Sequence, residues 1–177
     1  MITKILKFIY RNISSVFYRL RRLIYTSLVK LHVKNIGQNL HVNYLSFIPS
    51  NTILGNNVNF NGMTIVGDGQ VTIGNNFHSG TECLIISSNH NFDMGKFIPY
   101  DETHICNKIY IEDNVWIGSR VIILGNVTIG EGAIIQAGGV VVSDIPKYAI
   151  AGGNPAKVFK YRDISHYNKL KDDELFL

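Results

Sequence analysis

From Ile111 to Pro146 the chain repeats every six residues, and no other feature restricts its folding as much. Ile111, Ile117, Ile123, Ile129, Ile135 and Val141 open six successive hexads. A small or β-branched residue usually sits four places later, and Gly, Asn, Asp or Glu fill much of the space between. A helix face recurs at about 3.6 residues and a strand face at about 2, so neither accounts for a period of six. A short extended run closed by a tight turn does. Three such runs make a triangular coil of 18 residues, with each opening aliphatic pointing inward onto its equivalents above and below. Gly and Asn tolerate the left-handed backbone that such corners need. The period therefore predicts an all-β solenoid with a narrow, continuous core.

The same phase runs back through Ile36, Val42, Ile48, Leu54, Phe60 and Val66. One extra residue near Gly69-Gln70 shifts it, and Ile73, Ser79 and Ile85 continue. Ile85 and Ile111 are 26 residues apart, which is not a multiple of six. Residues 87–108 are thus expected to leave the prism as one long inserted loop. A loop of that length on a rigid scaffold is where function concentrates. Residues 35–162 read as the solenoid, and 163–177 as a polar tail with a short helix.

The net charge of +4 belongs to one end of the chain. Residues 1–34 hold eight of the 17 basic residues and none of the 13 acidic ones, leaving nine cations against thirteen anions elsewhere. Ile5, Ile9, Ile13, Val16, Leu20, Ile24 and Leu28 fall near one face of a helix, with Ser14-Ser15 as a candidate kink. Lys and Arg interrupt every apolar run there, so neither a membrane span nor a signal-peptide core is expected. Two readings of this basic amphipathic segment stand: a helical cap on the prism end or on a neighbouring subunit, or peripheral contact with an anionic membrane. Nothing else supports nucleic-acid binding. Cys83 and Cys106 lack metal-ligand spacing, so no metal is expected, and two cysteines suit a reducing cytoplasm.

Beyond the hexads, four runs occur in a fixed order: Asn89-His90, Asn114 to Ser119, Ala137 to Pro146, and Ala151 to Lys157. As a set they resemble the hexapeptide-repeat acyltransferases, within them the maltose, galactoside and nodulation acetyltransferase group, and most closely its surface-polysaccharide O-acetyltransferases. The resemblance spans roughly residues 50–162. It implies a left-handed parallel β-helix, a homotrimer with each active site between two prisms, acetyl-CoA as co-substrate, and a sugar or glycan acceptor. His90 matches the family's catalytic histidine. Imidazole suits the task of deprotonating an attacking sugar hydroxyl, since its ordinary pKa lies near neutrality. Asp93 or a main-chain carbonyl is expected to orient it. The Gly118-Ser119 backbone is the candidate donor to the oxyanion. Trp116, Ser119, Ala137 and Gly138 match positions along the coenzyme A arm, and Lys157 and Lys160 match basic positions near its phosphates. Val142-Ser143 departs from the Thr-Lys of many relatives and removes one cation. Asn89 and Tyr100 are candidates to contact the sugar. His104 matches nothing. A basic N-terminal segment suits an enzyme at the inner face of the membrane. Two other classes compete: a zinc-dependent, carbonic-anhydrase-like β-helix, which needs three converging histidines, and a non-catalytic trimeric scaffold.

Overall fold

The computed structural model describes the backbone of residues 2–177 and the side chains from Ser14 onward. Parallel strands stack into three faces of a prism. On the first face, strands Asn35–Ile36, Ile53–Leu54, Val71–Ile73, Ile109–Ile111 and Val127–Ile129 lie in that order. On the second, Trp116–Ile117 pairs in parallel with His78–Ile86 below and Ile134–Ile135 above. On the third, Ile122–Leu124 pairs with the far half of His78–Ile86 and with Val140–Val141.

The period predicted from the sequence is what fills this prism. Ile111, Ile117, Ile123, Ile129, Ile135 and Val141 are all buried, and so are Val115, Val121, Val127, Ala133 and Ile145 four places after an opener. Each buried aliphatic of this size contributes roughly 1.5–3 kcal/mol relative to exposure. Leu54, Ile73, Ile111 and Ile129 form one inward column, in register from coil to coil. Ser79 interrupts the second column, and its hydroxyl accepts the Asn61 N–H at 3.1 Å, so a polar group is buried with a partner. One expectation shifts by a residue. Val66 is exposed, and Ile65 points inward in its place. The cause is the preceding corner, where Gly62 at φ 96° carries the chain round and Met63 enters the core.

Polar ladders rivet the corners. Asn57, Asn76 and Asn114 all adopt positive φ, and each passes a side-chain hydrogen bond upward: Asn57 to Asn76 at 3.0 Å, Asn76 to Asn114 at 2.8 Å. Asn114 in turn donates to the Tyr167 hydroxyl at 2.8 Å. One coil higher stands Gly132, also at positive φ, where a Cβ would meet the Tyr167 ring at 2.9 Å. Tyr167 thus takes the place of the next ladder side chain, and glycine makes room for it. It comes from helix α2 (Ile164–Asp172), capped by Asp163 accepting from His166 N–H. Burial pushes the Tyr167 phenol up to about 12. The tail read as merely polar is therefore a docked element.

At the other end, helix α1 (Ile2–His32) runs unbroken through Ser14-Ser15. It packs on the strand His41–Tyr44. Val29 and Val33 are buried, the Tyr18 hydroxyl donates to Asn43 at 2.8 Å, and Thr26 Oγ1 accepts from Val42 N–H at 3.0 Å. The apolar stripe singled out in the sequence does not pack on the prism at Val16, Leu20, Ile24 and Leu28, which are all exposed; Ile5, Ile9 and Ile13 of the same stripe lie outside the described side chains.

Candidate active site

The inserted segment leaves the corner between the third and first faces as an antiparallel hairpin. Ser88–His90 pairs with His104–Cys106, which sets Asn89 opposite Ile105 and His90 opposite His104. The base of the hairpin is pinned to the coil beneath it. Asn107 N–H donates to Ser87 O at 2.7 Å, and a Cβ on Gly69 would lie 2.1 Å from both Asn107 O and Ser87 O. Only glycine permits that approach. The tip is tied by its own polar side chains. Asp101 accepts from Lys96 N–H and Thr103 N–H, each at 2.9 Å, and Asn91 Oδ1 accepts from Met94 N–H at 3.0 Å. The Thr103 hydroxyl, then those Lys96 and Thr103 amides, hold the Asp101 carboxyl below its usual range.

His90 is exposed but not free to wander. The Tyr100 ring stacks on it with centroids 3.9 Å apart and planes 13° from parallel. His104 meets its edge at 4.7 Å and 79°. His104 Nδ1 faces the Asp68 carboxylate at 3.7 Å, across from the Gly67–Gly69 turn. Stacked and edge-on geometries of this kind contribute about 0.5–1.5 kcal/mol each. Asp93, read as a possible orienter, is exposed and makes no hydrogen bond or ion pair to His90 among the described residues. Asn89 is exposed beside His90. Sequence reasoning missed His104 and Asp68. Only the antiparallel register, which no local pattern announces, sets His104 against His90.

The residues matched to the coenzyme arm gather at a different corner, between the second and third faces. Gly138 N–H donates to Ser119 O at 2.9 Å, and Ser119 Oγ accepts from Thr81 N–H at 3.1 Å. Gly118 lies so close beneath Ala137 that a Cβ would sit 2.5 Å from Ala137 N. Ala137 and Gly138 are exposed, which makes a smooth ledge of small residues along this edge. The Gly118 N–H is used in the ladder, donating to Ile135 O at 2.8 Å, so of the Gly118-Ser119 pair only the Ser119 amide is a candidate oxyanion donor. Lys157 and Lys160 project from strand Lys157–Tyr161, which turns back antiparallel on Ala149–Gly152. Trp116 stands half-exposed on the second face, beside a cleft of about 430 Å³ that also takes His78, Tyr167 and Phe176.

His90 and this ledge do not meet within one chain. Ser119 and Gly125 lie six residues apart across the third face, at most roughly 20 Å at about 3.3 Å per residue. The hairpin springs from the far end of that face. His78, the third histidine a zinc site would draw on, sits on the second face, paired with Asn59 and Trp116, away from His90 and His104.

A stacked hexad prism with two exposed imidazoles on an inserted hairpin and a ledge of small residues on another edge defines the hexapeptide transferase architecture. Residues 108–143 match the bacterial transferase hexapeptide family (six repeats). Over 156 residues the chain is 36% identical to the galactoside O-acetyltransferase of Escherichia coli, covering 81% of this chain and 72% of that one. A galactoside acetyltransferase solved in complex with coenzyme A superposes with a TM-score of 0.64 at 32% identity, over 79% of this chain and 71% of that one. A hexapeptide-repeat acetyltransferase of Vibrio cholerae, solved with acetyl coenzyme A, gives the same TM-score at 25% identity, over 76% and 74% of the two chains. This chain belongs to the hexapeptide-repeat acetyltransferases of the galactoside and maltose group. Its prism is accordingly the left-handed parallel β-helix that the sequence motifs imply.

Proposed function

We propose that this protein moves an acetyl group from acetyl-CoA directly to a sugar hydroxyl, with His90 as general base, and that the acceptor is a surface polysaccharide or its precursor in the cytoplasm. The donor follows from the relatives solved with coenzyme A and acetyl coenzyme A. The sugar follows from the galactoside O-acetyltransferase relatives. One observation carries the reading: the imidazole of His90 is exposed yet packed against the rings of Tyr100 and His104. A base held in one pose needs no reorganisation at the moment of attack.

In the reaction His90 takes the proton of the acceptor hydroxyl as its oxygen attacks the thioester carbonyl. The Ser119 amide receives the developing oxyanion, the tetrahedral intermediate collapses, and the thiolate leaves with a proton returned from His90. Ser119, Ala137 and Gly138 let the pantetheine arm lie close to the coil, with Trp116 at the edge of the groove. Lys157 and Lys160 meet the nucleotide phosphates as point charges. Asn89 and Tyr100 contact the sugar, and Asp93 lies in the loop beside them. The separation of His90 from the ledge supports a homotrimer, in which the base of one prism faces the thioester on the next.

A thiol-release assay with acetyl-CoA against a panel of sugars and nucleotide sugars tests the reading. His90→Ala is expected to cut kcat by roughly 10²–10⁴-fold on the accepted sugar. Unchanged turnover in His90→Ala, with the fold intact, contradicts the assignment.

A further inference from the structure

We infer that the outward face of helix α1 is a docking surface for an anionic membrane. The inference is independent of the acetyl-transfer chemistry. It starts from which side of the helix the prism uses. Tyr18, Arg22, Tyr25, Val29 and Val33 follow one another at steps of three and four and make the inner face, with Val29 and Val33 buried. Val16, Leu20, Leu23 and Leu31 each stand two residues from one of these, so they lie roughly 200° round the helix at about 3.6 residues per turn. Ile24 joins them, and the five are between 49% and 85% exposed. An amphipathic helix normally lays its apolar stripe on the core. Here the stripe faces away.

Charge says what covers it. Residues 1–34 contain no Asp or Glu. Arg19 and Lys30 flank the stripe along one edge, both exposed, and neither forms an ion pair among the described residues. Burial, then the charges of Arg22, His78 and Lys30, hold the His41 imidazole below its usual value. Contact between two such helices brings uncompensated cations together, whereas a layer of anionic headgroups neutralises them. An exposed apolar stripe edged by cations is the pattern of a helix lying in the membrane interface. No helix of the chain, among the described residues, is long and apolar enough to cross a membrane, so the contact is peripheral.

Flotation of the full-length protein tests this, using vesicles of phosphatidylcholine alone and of phosphatidylcholine mixed with phosphatidylglycerol. The protein is expected to float with the mixed vesicles, to stay behind with the neutral ones, and to be released by high salt. Arg19→Gln and Lys30→Gln should each weaken partitioning about fivefold. The triple variant Leu20→Gln, Ile24→Gln, Leu31→Gln changes only exposed side chains and should abolish flotation while keeping the melting temperature and the elution volume on a sizing column. Equal partitioning onto both vesicles, no flotation by the wild type, or unaltered flotation by the triple variant overturns the inference. Loss of the assembly state in the triple variant, with the wild type failing to float, assigns the face to a second copy and overturns it as well.

Discussion

Tyr100 and His104 differ in what they give His90, and substitutions separate the two. Tyr100 offers a ring face at 3.9 Å, which Phe retains and Ala removes. His104 offers an edge to His90 and a nitrogen to Asp68 at 3.7 Å. If the contacts are aromatic walls, Tyr100→Phe and His104→Phe should keep kcat within about threefold, and the Ala variants should lose about tenfold, in line with 0.5–1.5 kcal/mol per ring pair. A loss confined to KM would instead mean that the rings act on the sugar alone and do not position His90. The exposed place of His90 on an inserted segment was legible from an ordered set of motifs. Its neighbours were not, because they are set by the pairing of two strands 14 residues apart, and the residues between carry no period. Val66 marks a smaller lapse of the same kind. The hexad count placed it inward, and a positive φ at Gly62, invisible in residue type alone, moved Ile65 there.

Among the elements, the solenoid coils were the most legible, since six successive hexads repeat one inward requirement. The inserted hairpin was legible only as an interruption. Its order depends on Asp101, and the sign of the pH dependence follows from the carboxylate being the acceptor. Hydrogen bonds from Thr103 and Lys96 lower its folded pKa. Their contribution is therefore present above the ordinary carboxylate range and is lost as pH falls through the depressed value. Amide exchange read by NMR should keep the Lys96 and Thr103 N–H groups protected down through the usual Asp range. They should lose that protection at neutral pH in Asp101→Ala. Protection lost already at the usual Asp pKa in the wild type would contradict the assignment. Helix α1 was legible as a helix and as amphipathic, but not in its orientation. The prism end offers it Asn43 and the Val42 amide, and these select the face with Tyr18 and Thr26 over the more apolar one. Helix α2 was legible only as a helix. Its anchor, Tyr167 over Gly132, depends on a glycine that reads as one more corner residue in sequence.

At the scale of the whole molecule, the prism separates the two halves of the proposed site. His90 stands beyond one edge of the third face, and the ledge of Ser119, Ala137 and Gly138 stands at the other, with at most roughly 20 Å of chain between the two edges. A rotationally symmetric assembly brings unlike edges of neighbouring copies together and closes after a few subunits. Shared sites in such an assembly make a specific demand. His90→Ala removes the base and leaves the ledge, while Ala137→Trp fills the ledge and leaves the base, so each homogeneous protein should be inactive. When the two are unfolded, mixed in equal amounts and refolded together, one site in each mixed trimer pairs an intact His90 with an intact ledge. Thiol release from acetyl-CoA should then recover to about a quarter of the wild-type rate for random assembly. Co-assembled trimers that stay as inactive as either parent would contradict a site built between two copies.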